Sequence, residues 1–280
     1  MKDTILYGDC RKTLCAFLPQ SARVCVTSPP YYGLRNYGGE ESQIGLEQTP
    51  EEFIDELVKV FREVRNVLTD DGTCWVNIGD SYYNYRPGRG QGLAKQTVSN
   101  TKQDLPDVCP RRGNKLEGFK EKDLIGIPWM FAFAMRADGW YLRQDIIWNK
   151  PNPMPESVRD RCTKSHEYIF LFSKSQNYYF DVDAIKEETR RKRSVWNVTK
   201  KPYKGAHFAV FPPDLIEPCI LAGSEKGDTI LDPFMGSGTT AMVSKKLNRH
   251  YIGCELHENY GNLIEERVSS YENKLEKFFK

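Results

Sequence analysis

Two stretches of the chain carry side chains whose types and spacing suit chemistry on a small polar ligand. The later one, residues 229–240, reads TILDPFMGSGTT. Ile230 and Leu231 suit a buried parallel strand, and Asp232 ends it with an acceptor at the carboxyl edge, where open α/β sheets bind their ligands. Gly236 and Gly238 remove side chains so that the backbone can turn tightly and approach a ligand. The amides that start the next helix, near Thr239 and Thr240, favour an anion. A second apolar run, residues 251–253, ends in Cys254-Glu255, and an acid at that place can grip both hydroxyls of a ribose. No GK[ST] follows the glycines, so this is no Walker phosphate cradle, and the missing GxGxxG disfavours a nicotinamide dinucleotide. A nucleoside with a charged amino-acid tail fits better than a triphosphate.

The earlier stretch begins with a short apolar run, residues 24–26, that passes directly into Thr27-Ser28-Pro29-Pro30-Tyr31-Tyr32. The two prolines fix φ and remove amide donors, which leaves carbonyls free to accept, and Tyr31 offers a rigid aromatic face. Two prolines alone are also an ordinary extended turn leaving a strand. The flanking aromatics and the place at a strand end favour a clamp the size of a nucleobase.

Elements able to position these stretches follow from the hydrophobic pattern. Strands are expected at residues 4–7, 24–26, 73–78, 141–148, 166–172, 229–232 and 251–253, with residues 177–180 extending a hairpin. Thr49-Pro50-Glu51-Glu52 has the cap, first-turn proline and returning glutamate of a capping box. Phe53, Leu57, Val60, Phe61, Val64 and Leu68 follow it at helical spacing, and Asp70-Asp71-Gly72 is the expected stop. Further helices are expected at residues 127–135, from Pro213 through Leu221, at 240–247, and at 259–279 with Leu263, Ile264, Val268, Tyr271 and Leu275 on one face. Alternating strand and helix implies an α/β fold: a Rossmann-like, doubly wound, mostly parallel sheet with a β-hairpin, forming one catalytic domain over residues 1–280.

Two segments break this rhythm. Residues 82–122 are glycine-rich and poor in apolar side chains, with Arg86, Arg89, Arg111 and Arg112. Such an insertion either follows a phosphate backbone or is simply solvated. Residues 184–206 hold Arg190, Arg191, Lys192, Arg193, Lys200 and Lys201, interleaved with Trp196 and Tyr203, a composition that suits a nucleic-acid surface as well as a solvated face. Lys150, in the rigid exit Asn149-Lys150-Pro151-Asn152-Pro153, joins the candidate phosphate contacts.

Composition narrows the classes further. At 280 residues and 39% hydrophobic content the chain can bury a full core, and a net charge of +2 gives no global basic field. The eight cysteines form no CxxC pair and the start reads as no signal peptide, so a reducing cytoplasm is expected. No run approaches a membrane span. His250, Cys254 and His257 fall on different faces and levels of a strand, and no metal is expected.

With both motifs in hand, TSPPYY early and LDPFMGSGTT late, the chain resembles the amino-group DNA methyltransferases in the β arrangement, where the catalytic motif precedes the cofactor motif. HFAVFPPDLIEPCI (residues 207–220), RHYIGCELHENY (249–260) and LYGDC (6–10) are similar to further motifs of that family. The resemblance spans nearly the whole chain outside the two irregular segments. It implies the circularly permuted methyltransferase order and S-adenosylmethionine as cofactor. Its amino-acid end would lie around Asp232, Phe234, Gly236, Ser237, Gly238 and Thr239, with Thr27 beside it, its ribose at Glu255 and its adenine by Asp9. Ser28, Pro29, Pro30 and Tyr31 would carry catalysis. Acceptors at Ser28 Oγ and the Pro29 carbonyl would hold the hydrogens of an exocyclic amine, and Tyr31 would stack on a base flipped from double-stranded DNA. In this family a serine at the first motif position goes mostly with cytosine N4 and an aspartate with adenine N6, so N4-cytosine is expected and N6-adenine is the alternative. An RNA methyltransferase and a non-catalytic DNA-binding remnant are the readings from other classes. A cognate restriction endonuclease is a possible partner, and monomer and homodimer both stay open.

Overall fold

The computed structural model describes residues 1–33, 42–83, 116–200 and 211–278, with side chains as far as residue 269. In chain order its strands are β1 (Thr4–Tyr7), β2 (Ala22–Thr27), β3 (Leu68–Ile78), β4 (Tyr141–Asn149), β5 (His166–Ser173), β6 (Val195–Asn197), β7 (Thr229–Asp232) and β8 (His250–Glu255). The helices are α1 (Cys10–Thr13), α2 (Pro50–Val67), α3 (Ile127–Ala137), α4 (Pro213–Gly223), α5 (Thr239–Lys246) and α6 (Gly261–Phe278). The strands form one sheet in the order β1-β8-β7-β2-β3-β5-β4-β6. Only β5 runs against the others. Strand order reverses between β7 and β2, and that is where an open α/β sheet leaves a crevice at its carboxyl edge.

Local sequence explains most of these boundaries. Thr49 accepts from the Glu52 amide while the Glu52 carboxylate accepts from the Thr49 amide, so the expected capping box starts α2. Phe53, Phe61 of α2 and Phe131 of α3 are fully buried against one sheet face, roughly 1.5–3 kcal/mol of transfer free energy each. Leu215, Ile216 and Ile220 of α4 and Val243 of α5 cover the other face over Val24, Val26 and Trp75. Helix α6 docks on α5 through Ile264 and Val268, which pack with Met235 and Ala241. Leu263 is only half-buried, and the expected Tyr271 and Leu275 lie outside the described side chains.

Three expectations are corrected. Helix α2 ends at Val67, before Asp70-Asp71-Gly72, and these three residues lie inside β3. There Gly72 lets the chain pass close to a neighbour, since a Cβ on it would meet Arg23 O at 3.0 Å. Residues 177–180 add no strand, because the Tyr179 amide turns away to Asp71 O and the Asp181 amide to Ala222 O. The antiparallel pair is β4 with β5. Finally, the basic segment contains a strand that its composition does not announce: β6 pairs with β4, anchored by the buried Trp196, whose indole donates to Arg193 O at 2.7 Å.

Candidate active site

Strand β2 ends at Thr27, which is buried, and Ser28 follows half-buried at the carboxyl edge. Beside it, β7 ends at Asp232, only 1% exposed. Thr27 Oγ1 donates to Asp232 Oδ1 at 2.6 Å, Thr240 Oγ1 donates to Asp232 Oδ2 at 2.6 Å, and the Phe234 amide donates to Asp232 Oδ1 at 3.0 Å. Burial lifts this carboxyl to about 6 against the pull of these donors. Asp232, expected beside the cofactor, has both carboxylate oxygens engaged by these protein donors, and it clamps the end of the Ser28 strand to the start of the glycine loop and to the first turn of α5.

The loop itself is shaped by close approach. Gly238 caps α5 with φ +77, and a Cβ there would lie 2.7 Å from Ile264 Cγ2. Ser237 and Thr239 are buried, and Arg267 of α6 donates to Ser237 Oγ at 2.5 Å. Phe234 and Gly236 remain half-exposed at the mouth. The Gly236 amide donates to Glu255 Oε2 at 2.8 Å and the His257 amide to Glu255 Oε1 at 3.0 Å. Burial raises Glu255 to about 7, and these two amides only partly offset it. A buried carboxylate served by backbone amides suits a ligand that brings hydroxyl donors. Asp9 stands nearby, since the Gly8 amide donates to Glu255 O at 2.8 Å. Its carboxylate is already occupied: it caps α1 through the Arg11 amide and takes three further bonds from the Arg11 guanidinium at 2.8, 2.9 and 3.1 Å.

On the other side of Ser28, Pro29 is buried and Pro30 packs over Gly45, where a Cβ would meet Pro30 Cβ at 3.3 Å. Tyr32 is a core residue: it packs on Phe53 at 5.5 Å and its hydroxyl donates to Gln48 O at 3.1 Å. Tyr31 stays half-exposed over Gly79, where an added Cβ would lie 2.5 Å from the ring. Its hydroxyl donates to Glu167 Oε2 at 2.7 Å. Lys150 donates to the other oxygen of Glu167 and lies over the Trp148 ring at 4.3 Å. Burial brings Lys150 down to about 8, while for Glu167 the charge of Lys150 and the bonds from Lys150 and Tyr31 outweigh burial and hold it below the usual carboxylate range.

The expectation that Lys150 meets phosphate from the surface is therefore corrected. Lys150 is 5% exposed and ion-paired beneath Tyr31, because it sits one residue past β4, against the start of the antiparallel β5. Arg190, Arg191, Arg193 and Lys200 are exposed, whereas Lys192 is held by Glu187 at 2.7 Å and over the Trp196 ring at 5.0 Å. Arg86, Arg89, Arg111, Arg112 and Lys201 lie outside the described residues. Sequence reasoning missed Asn77, Gly79, Glu167 and Arg267, and it named Thr240 for its backbone amide and not for the hydroxyl that holds Asp232. For Glu167 the one available signal was an acid beginning an otherwise apolar strand. Among the described residues no His, Cys, Asp and Glu group is suited to a metal, and no helix is long and apolar enough to cross a membrane.

A permuted Rossmann-like sheet with a glycine loop at its switch point and an adjoining Ser-Pro-Pro-Tyr turn defines a methyltransferase. The chain belongs to the N6/N4 DNA methylase family, whose description, DNA methylase, matches residues 22–266. It is 48% identical over 277 residues to the Type II methyltransferase M.Cfr9I of Citrobacter freundii, covering 97% of this chain and 89% of that one. Among solved structures it is similar to the PvuII DNA methyltransferase (cytosine-N4-specific), with a TM-score of 0.67, 18% identity, and 95% and 93% of the two chains covered. It is also similar to a DNA modification methylase of Thermus thermophilus, TTHA0409, complexed with S-adenosyl-L-methionine, with a TM-score of 0.65, 24% identity, and 97% and 94% covered.

Proposed function

We propose that this DNA methylase transfers the methyl group of S-adenosylmethionine to the exocyclic N4 amine of cytosine in double-stranded DNA. The observation that carries the reading is the bond from Thr27 to Asp232, which fixes the amine-holding turn directly against the cofactor loop. Both reactants then meet at one point of the sheet edge.

The residues present fit the cofactor. Glu255 offers its buried carboxylate to the ribose hydroxyls, Phe234 and Gly236 line the mouth, and the amides around Gly238 and Thr239 suit a carboxylate. When bound, S-adenosylmethionine supplies an electrophilic methyl group on sulfur. Ser28 Oγ and the Pro29 carbonyl accept the amine hydrogens, which draws the nitrogen lone pair out of conjugation with the ring and makes it nucleophilic. Tyr31 stacks on the flipped base and offsets part of the few kcal/mol of unstacking. Alignment of the two reacting groups supplies much of the acceleration, up to ~7–11 kcal/mol.

Ser28 is the feature that favours cytosine over adenine. The exposed Arg190, Arg191, Arg193 and Lys200 are the proposed phosphate contacts among the described residues, with the 82–122 insertion sharing recognition. A restriction endonuclease of the same sequence specificity is the proposed partner in the cell.

Mass spectrometry of nucleosides from DNA incubated with labelled S-adenosylmethionine tests the reading. Label in N4-methylcytosine, lost in Ser28→Ala, is the expected result. Label in N6-methyladenine would overturn the base assignment alone. Label in RNA only, or cofactor binding with no transfer, would overturn the DNA reaction.

A further inference from the structure

Tyr31 is held both at the face of its ring and at its hydroxyl. Its ring lies on Gly79, where the absence of a Cβ gives it room, and its hydroxyl is bonded to Glu167 at 2.7 Å. Asn77 completes the cradle: its Nδ2 donates to Tyr168 O at 3.1 Å and to Glu167 Oε2 at 3.3 Å, and its Oδ1 lies 3.3 Å from the Tyr31 hydroxyl. Lys150 takes the second carboxylate oxygen from below.

We propose that Glu167 is a positioning residue for methyl transfer, its carboxylate anchored by Lys150 and Asn77 so that the Tyr31 ring is fixed in the orientation that receives the flipped base. The inference rests on the reading of Tyr31 as the ring that stacks on that base.

Topology makes this arrangement available. Strand β5 is antiparallel to β3, so its amino-terminal residues reach the edge at which β2 and β3 end. Tyr168 pairs with Ile78, which puts Glu167 level with Gly79, directly beside the Tyr31 ring. Sheet pairing does not call for an acid here. The ladder from β5 to β3 and β4 is made by backbone groups, and an apolar residue at 167 would spare the burial of both Glu167 and Lys150. The charged pair instead provides an acceptor of fixed orientation, since the oxygen facing Tyr31 cannot turn away without breaking the bond to Lys150. A charge-assisted bond holds a phenol more tightly than a neutral one. A ring restricted in this way meets the incoming base already oriented, so less freedom is lost when the base arrives.

The test is a double-mutant cycle between Glu167→Gln and Tyr31→Phe, assayed on unmethylated plasmid DNA with labelled S-adenosylmethionine. Cofactor affinity by calorimetry and thermal unfolding are recorded for every variant. In the glutamine variant Lys150 retains the amide oxygen, so the amide NH2 faces the tyrosine and the strong acceptor is lost. Glu167→Gln is expected to lower kcat about tenfold or more with cofactor affinity unchanged. In the Tyr31→Phe background it is expected to have no further effect. Adding Lys150→Met to Glu167→Gln frees the amide oxygen for the tyrosine, and recovery of kcat is expected. Equal effects of Glu167→Gln in both backgrounds, or no effect in the wild type, would overturn the inference. Tyr31→Ala separates the two levels: if it transfers methyl groups at the wild-type rate, the reading of Tyr31 falls and the inference with it. If it is impaired but the cycle is additive, only the role of Glu167 falls.

Discussion

Thr27 donates a 2.6 Å hydrogen bond to Asp232, joining residues 205 positions apart at the ends of two adjacent parallel strands. The bond links the residue before Ser28 to the residue that opens the glycine loop. It therefore sets the spacing between the two halves of the site.

Removing that donor has a defined cost. Thr27→Val leaves Oδ1 of the buried Asp232 carboxylate with the Phe234 amide alone, and a loss of roughly 1–3 kcal/mol is expected in urea unfolding. Thr27→Ser, which keeps the hydroxyl, should retain most of that stability. Methyl transfer should fall in the valine variant even well below its unfolding transition.

Cofactor affinity should depend on pH through Glu255. Burial lifts this carboxyl from 4.5 to about 7, so between those values the folded chain holds a proton that the unfolded chain has lost. Its contribution to stability is thus full below about 4.5 and declines as pH rises to 7. Ribose hydroxyls favour the ionised form, so binding of S-adenosylmethionine expels the proton. Affinity should rise with pH, by at most about tenfold per unit, and level off above 7. Asp232, at about 6, titrates in the same range behind its own three donors. Calorimetry of Glu255→Gln is the control: its affinity should be weaker and lack the Glu255 component.

Gly79→Ala should disable the site while sparing the cofactor half. The new Cβ would sit 2.5 Å from the Tyr31 ring and force it off its platform. A loss of at least about tenfold in kcat, with unchanged affinity for S-adenosylmethionine, is expected from a misplaced contact of this kind. Equal loss of cofactor affinity would show that the ring and the cofactor pocket are not separable.

Salt dependence distinguishes the surface cations from the buried one. If Arg193 meets a phosphate, Arg193→Ala should flatten the slope of log Kobs against log salt by about 0.9 and weaken all DNA sequences alike. Lys150→Met should leave that slope unchanged, because its ammonium is spent on Glu167. Fluorescence anisotropy of a labelled duplex across a salt series measures both.

What could be read from the chain alone was what depends on neighbours in sequence. The capping box at Thr49 and the glycines at 236 and 238 declare themselves through local backbone chemistry, as does the acid closing β8. The order of the two motifs was enough to indicate the permuted fold and its family. Only the tertiary structure assigned the partners of charged side chains, because those partners come from distant strands. Asp232 and Lys150 sit at sheet-edge positions that suit ligand or phosphate, yet each is engaged from within, by Thr27 and Thr240 in one case and by Glu167 in the other. The direction of β5 explains why Glu167 escaped notice. A continuous apolar run reads the same whichever way a strand lies in the sheet, and only its antiparallel pairing with β3 brings its first residues to the catalytic edge.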